Sequence, residues 1–192
     1  MRVLIAPDGF GGTLTPAGAA AAMADGWRRA APGDELDLAP LSDGGPGLLE
    51  VLSAALADAQ LVALVVQDAL ARPVPAAFLL DGETAYVEAA AACGLHLLDP
   101  DERDPTVTTT YGVGQLVRAA VDAGATRVVV GLGGSATNDG GAGMLAALGV
   151  QRSGPTGEQL APGGLALREV ARLVGRPELA GVELVAGRRP CR

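Results

Sequence analysis

Arg127-Val128-Val129-Val130-Gly131-Leu132-Gly133-Gly134-Ser135-Ala136-Thr137-Asn138-Asp139-Gly140-Gly141-Ala142-Gly143 is the stretch whose reading decides the fold. It opens on a continuous β-branched apolar run, as expected of a parallel strand buried on both faces. A polar, glycine-rich turn carrying an Asp follows, and then a short apolar helix running to Leu148. Strand, glycine turn and helix in that order form the repeating unit of an open α/β sheet. Such sheets collect their ligands where loops and helix N-termini converge, beyond the carboxyl ends of the strands.

Upstream, the same design occurs twice. Val3-Leu4-Ile5-Ala6 reads as a buried strand ended by Pro7-Asp8-Gly9. A helix then begins with Thr15 as N-cap and Pro16 at N1, where its missing N–H costs nothing. Pro32-Gly33 stops it. Leu36 to Leu38 reads as a second strand, Leu41 to Gly47 as a Gly/Pro-rich loop, and Leu48 to Ala59 as a helix. The opening sixty residues therefore read β-α-β-α, the pattern of a doubly wound sheet.

Between these units the texture changes. Leu61 to Val66, Val74 to Leu80 and Thr84 to Val87 predict three short strands joined by tight turns, Asp81-Gly82 being the clearest. After an acidic loop from Asp99 to Pro105, helical spacing resumes from Val113 to Ala123. Pro155 to Pro162 reads as a turn-rich excursion. Val182 to Ala186 begins another strand and meets the basic scrap Gly187-Arg188-Arg189-Pro190-Cys191-Arg192.

Composition narrows the function. The 192 residues carry a formal net charge of −8 and no Lys, so binding to nucleic acid or to an anionic membrane surface is not expected. Any phosphate contact must come from Arg, backbone N–H groups or a metal. Cys93 and Cys191 show no metal-ligand spacing and read as free thiols of a reducing cytoplasm. The longest fully apolar run, Leu61 to Val66, is too short to cross a bilayer. The sequence thus predicts a soluble cytoplasmic protein.

Three segments can carry chemistry: Asp8 to Thr15, Ser42 to Gly47, and Gly133 to Gly143. Glycines let the backbone approach a phosphate, and N–H groups at a helix start favour an anion. An Asp at the same place can hold Mg²⁺ or accept the proton of an attacking hydroxyl. Together these features predict phosphoryl transfer, in which positioning and charge stabilisation supply most of the catalysis. A plainer reading stands beside each. A single glycine turn is needed merely to turn the chain, and Asp8 and Asp43 could be loop caps. Thr108-Thr109-Thr110-Tyr111-Gly112 could be an N-cap with spare threonines. No dinucleotide fingerprint and no Walker A sequence is present.

At these segments the chain resembles the glycerate kinase family. The resemblance lies in Ile5-Ala6-Pro7-Asp8 with Phe10 and Gly12, in Ser42-Asp43-Gly44-Gly45, in Thr108 to Gly112 and in Gly133 to Gly143. Arg103-Asp104-Pro105 and Glu88-Ala89-Ala90 match as well, and the likeness extends to about Ala186. It implies a Rossmann-like doubly wound parallel sheet with a second, inserted α/β domain, both incomplete here. The two parts are expected over 1–85 and 86–192.

The resemblance also implies Mg²⁺ and ATP as donor and D-glycerate as acceptor, giving 2- or 3-phosphoglycerate. Asp8, Asp43 and Asp139 are then the expected catalytic carboxylates, with Asp8 and Asp43 on Mg²⁺. Gly12, Thr13, Gly44, Gly45, Thr109, Thr110, Gly133, Gly134, Ser135, Thr137, Asn138, Gly140 and Gly141 are the expected substrate and phosphate contacts. Gly11 stands where the family usually has Lys, and Pro46 where it usually has Glu. Family members are about twice this long, so the chain reads as truncated. Self-association through uncovered surfaces is expected. A non-catalytic remnant and a Rossmann-type oxidoreductase fragment are the alternatives.

Overall fold

A computed structural model describes residues 1–179 and 181–187, so the expected basic scrap beyond Gly187 lies outside the described residues. The first unit is β1 (Arg2–Ile5), α1 (Pro16–Ala30) and β2 (Glu35–Leu38), with the two strands parallel and Val3 opposite Leu36. The helix starts as its sequence requires. Thr15 is extended, its hydroxyl accepts from Gly18 N at 3.1 Å, and Pro16 takes the first helical position. Ala20 and Ala24 of the helix's inner face form a small core with Ile5 of β1. The opposite face of the strand pair is bare, and Leu4 on it is 65% exposed.

Between β1 and α1 the chain makes a hairpin, Phe10 bridging to Leu14. Its tip, Phe10–Thr13, has Gly11 at φ +55° and Gly12 at φ +78°, both central residues left-handed. Glycine reaches that geometry without the clash a Cβ would bring. A Lys at position 11 would be strained in this turn.

The second unit is a five-stranded mixed sheet. Helix α2 (Leu48–Ala55) leads into β3 (Gln60–Gln67), β4 (Pro73–Asp81) and β5 (Thr84–Glu88), which pair antiparallel as the turn signals predict. Then come a short helix α3 (Ala90–Cys93), α4 (Tyr111–Asp122) and β6 (Arg127–Gly131), followed by α5 (Ala142–Ala147). A small antiparallel pair, β7 (Gln151–Ser153) and β8 (Arg172–Val174), is unmarked by any clear sequence pattern. The last strand among the described residues is β9 (Glu183–Gly187).

The order in the sheet is β3-β4-β5-β6-β9, with β5, β6 and β9 parallel. β5 crosses position 85, so this sheet draws on both of the expected domain ranges. On one face Phe78, Val87, Val128 and Val130 pack against Val113, Leu116 and Val117 of α4. On the other face lies α2, which contacts β4 and β5. Alanine and valine thus build a three-layer packing with few aromatic rings. The fold is mixed α/β, as the sequence predicts.

Candidate active site

The carboxyl ends of β1, β2 and β6 open onto one cleft of about 610 Å³, between the strand pair and the α2 face of the larger sheet. Asp8 follows β1, Ser42, Asp43 and Gly44 follow β2, and Gly131 closes β6; all five line the cleft. Tyr86 of β5 forms part of the wall. Among the described residues no basic side chain lines the cleft.

The Ser42–Gly47 loop is held by its own side chains. Gly44 N donates to Ser42 Oγ at 3.2 Å, and Gly45 N donates to Asp43 Oδ1 at 3.0 Å. Asp8 Oδ1 likewise accepts from Gly9 N at 2.7 Å. The loop also lies directly on the main chain of its neighbour. A Cβ added to Gly44, whose φ is +93°, would stand 2.7 Å from Gly187 O, and one on Gly133 would stand 2.6 Å from Gly45 Cα. Neither position admits a side chain.

Behind the loop sits a carboxylate to which the sequence assigned no role. Glu88, at the end of β5, accepts from Gly47 N at 3.1 Å, and the N–H groups of Leu48 and Leu49 also point at it. It is 9% exposed. Burial pushes its carboxyl above the usual range, against the opposing pull of those N–H groups. The readable signal was a charged residue closing the apolar alternation of Thr84–Glu88.

The Gly133–Gly143 loop is organised around Asp139, which is 1% exposed. Its Oδ2 accepts from Thr110 N at 2.8 Å, Gly143 N at 3.0 Å and Thr109 Oγ1 at 3.2 Å. Its Oδ1 accepts from Gly141 N and Thr110 Oγ1, both at 3.0 Å. One carboxylate therefore satisfies orphan donors at the starts of both α4 and α5. Thr108 Oγ1 donates to Ala136 O and Thr137 Oγ1 to Thr108 O, each at 2.7 Å. The threonine run is a set of struts for the glycine loop; the structure gives Thr110 no side-chain capping bond to its own helix.

The predicted residues thus fall into groups. Asp8, Asp43 and Gly44 share the cleft, while Gly45 and Gly133 touch each other through their main chains and do not line it. Thr109, Thr110, Thr137 and Asp139 are turned into the loop's own bonds. Gly134, Asn138 and Gly140 lie on its exposed outer side. Ser135 and Gly141 border a second cavity of about 350 Å³, otherwise mostly apolar and lined by Val113, Val130 and Leu184 among others. Gly12 and Thr13 stand on the exposed hairpin tip and do not line the cleft.

Among the described residues no three His, Cys, Asp or Glu side chains cluster as a metal cage. The pair Asp8 and Asp43 still suits Mg²⁺, which commonly takes one or two carboxylates and completes its shell with water and substrate phosphate. Among the described residues no helix is long and apolar enough to cross a membrane.

Fold and site together define a mixed α/β protein with an acidic, glycine-floored cleft at the carboxyl ends of its strands. A sequence profile of the glycerate kinase family matches residues 3–186. The chain is 45% identical to glycerate kinase of Bacillus subtilis (strain 168) over 175 residues, which are 90% of this chain and 46% of that protein. It is 41% identical to glycerate 2-kinase of Escherichia coli (strain K12), over 85% of this chain and 43% of that one. A crystal structure described as a glycerate kinase 2 from Salmonella typhimurium LT2 superposes with a TM-score of 0.79 at 38% identity. That superposition covers 97% of this chain and 51% of the other. The chain belongs to the glycerate kinase family. It spans about half the length of the curated relatives it matches.

Proposed function

We propose that this chain carries the acceptor side of a glycerate kinase, which moves the γ-phosphoryl group of ATP onto a hydroxyl of D-glycerate to give 2- or 3-phosphoglycerate. The observation that carries the reading is the convergence of Asp8, Asp43 and the glycine floor on one cleft at strand ends. Family membership supports the same chemistry. In this reading Asp8 and Asp43 hold Mg²⁺, whose charge offsets that of the phosphoryl oxygens. Asp43 Oδ2, the oxygen not engaged by Gly45, takes the proton of the attacking hydroxyl. Backbone N–H groups of Gly133, Gly134 and Ser135, for which the described residues offer no acceptor, cradle phosphate oxygens.

We assign Asp139 to holding that loop, in place of the catalytic role expected from sequence, because both its oxygens are engaged and it is buried. Gly12 and Thr13 are left out of the site for want of contact with the cleft. We place the division between the two units in the loop between β2 and α2, because α2 packs on β4 and β5 and β5 crosses 85. Cytoplasmic location and self-association over the bare β1–β2 face belong to the same proposal.

The test is ADP release with Mg²⁺, ATP and D-glycerate, against controls without glycerate and against Asp43→Asn. Glycerate-dependent turnover that the substitution abolishes is expected. Equal turnover with Asn at position 43 sinks the assignment. A second reading, ligand binding without turnover, draws on Gly11 and Pro46, which remove a cation and a carboxylate usual in the family. Stabilisation by ATP and not by NAD, with no ADP released from folded protein, would select it over the first reading and over an oxidoreductase.

A further inference from the structure

Helix α2 points its N-terminus towards the floor of the cleft, where an incoming phosphate would find free N–H groups and the positive end of a helix dipole. That end is already filled. Glu88 reaches it from β5, accepts from Gly47 N at 3.1 Å and is faced by the N–H groups of Leu48 and Leu49. Glu88 is only 9% exposed, so its carboxylate has exchanged water for these donors.

The same strand end fixes the loop from the other side. Glu88 pairs with Gly131 in the parallel register, and a Cβ on Gly131 would run into Leu48 Cδ2 and stand 2.5 Å from Gly44 O. The loop that presents Asp43 is therefore pinned at two points, by contact with Gly131 and by the bond of Gly47 to Glu88.

We infer that Glu88 is a positioning residue: an internal anion that closes the N-terminus of α2 to phosphate and fixes the Ser42–Gly47 loop, so that Asp43 faces the cleft. The inference rests on the proposed phosphoryl transfer for its bearing on rate. Its structural half stands alone.

The test uses the full chain with Glu88→Ala and Glu88→Gln. Amide hydrogen exchange is followed at Gly44, Gly45 and Gly47 to Leu49, with acetate and inorganic phosphate as probes. In the Ala variant these amides should exchange at least tenfold faster, and acetate, refilling the vacated anion site, should restore protection. Inorganic phosphate should protect Gly47 to Leu49 in the Ala variant and not in the wild-type chain. The Gln variant, uncharged at the same volume, should show an intermediate rate and no response to acetate. Unchanged exchange in the Ala variant, or exchange that acetate does not slow, overturns the inference. So does protection of Gly47 to Leu49 by phosphate in the wild-type chain.

Where wild-type ADP release is measurable, Glu88→Ala should lower kcat at least tenfold, leave KM for ATP unchanged and recover with acetate. A wild-type chain without glycerate-dependent turnover would sink the proposed reaction, and the exchange result would still decide the role of Glu88.

Discussion

The Ser42–Gly47 and Gly133–Gly143 loops look alike in sequence, since each follows a strand, carries one Asp among glycines and leads into a helix. In the folded chain their aspartates live differently. Asp43 is exposed on a cleft and ties down one neighbouring N–H. Asp139 is buried and engaged by the threonines before α4 and the amides that open α5. The lesson is that an Asp in a glycine turn is read by its donors. Where partners come from distant segments, the carboxylate builds the site; where they come from the next residues, it remains available for chemistry.

Substitutions can break this contrast. Asp139→Ala should show the largest effect, a stability loss of about 3–4 kcal/mol, because several buried donors lose a charged acceptor together. Denaturant unfolding measures it, and a loss below about 1 kcal/mol would put Asp139 in the same class as Asp43. Asp43→Asn should instead leave the unfolding midpoint nearly unchanged. It should lower glycerate-dependent turnover about a hundredfold, the lower end of what a positioned base contributes.

Thr108→Val tests one strut alone. It leaves Ala136 O without its buried donor and should cost about 1–2 kcal/mol, with the loop amides exchanging faster. Thr13→Ala, on the exposed hairpin tip, should fall within about 0.5 kcal/mol of wild type and leave turnover intact. A large loss of turnover there would return the tip to the site.

A third carboxylate sharpens the comparison through pH. Burial works to raise Asp68, but hydrogen bonds from Arg72 and Leu70 outweigh it and hold its carboxyl below the ordinary value of 3.8. A depressed folded pKa adds stability that is complete above the unfolded value and lost as pH falls through the folded one. The stability gap between wild type and Asp68→Asn should therefore be constant near neutrality and close below about pH 4. A gap that is unchanged at pH 3 would mean that charge is not what Asp68 contributes.

Much of the fold was legible because local signals and packing agree. Thr15-Pro16 caps α1, Val128-Val129-Val130 makes a buried strand, and Asp81-Gly82 turns β4 into β5. Helix α2 ends at Ala55, short of the expected Ala59, because Leu56 leaves helical geometry before the chain enters β3. β7 and β8 went unread because three-residue strands carry no period. In the site, Asp8, Asp43 and Gly44 were legible as residues at strand ends. The different role of Asp139 was not, since it depends on Thr109 and Thr110 some thirty positions away, a pairing that only tertiary structure creates. Glu88 escaped for the same reason, its partner Gly47 lying on the far side of β3 and β4.

The meeting of Gly44 with Gly131 and Gly187 gives the cleft a floor made of main chain. Main-chain atoms are common to every residue type, so their shape and polarity cannot be adjusted by exchanging side chains. Side-chain variation in the cleft is therefore confined to its walls, among them Ser42, Leu48, Leu52 and Tyr86. Changes to the shape of the cleft should start at those walls and leave the glycines alone.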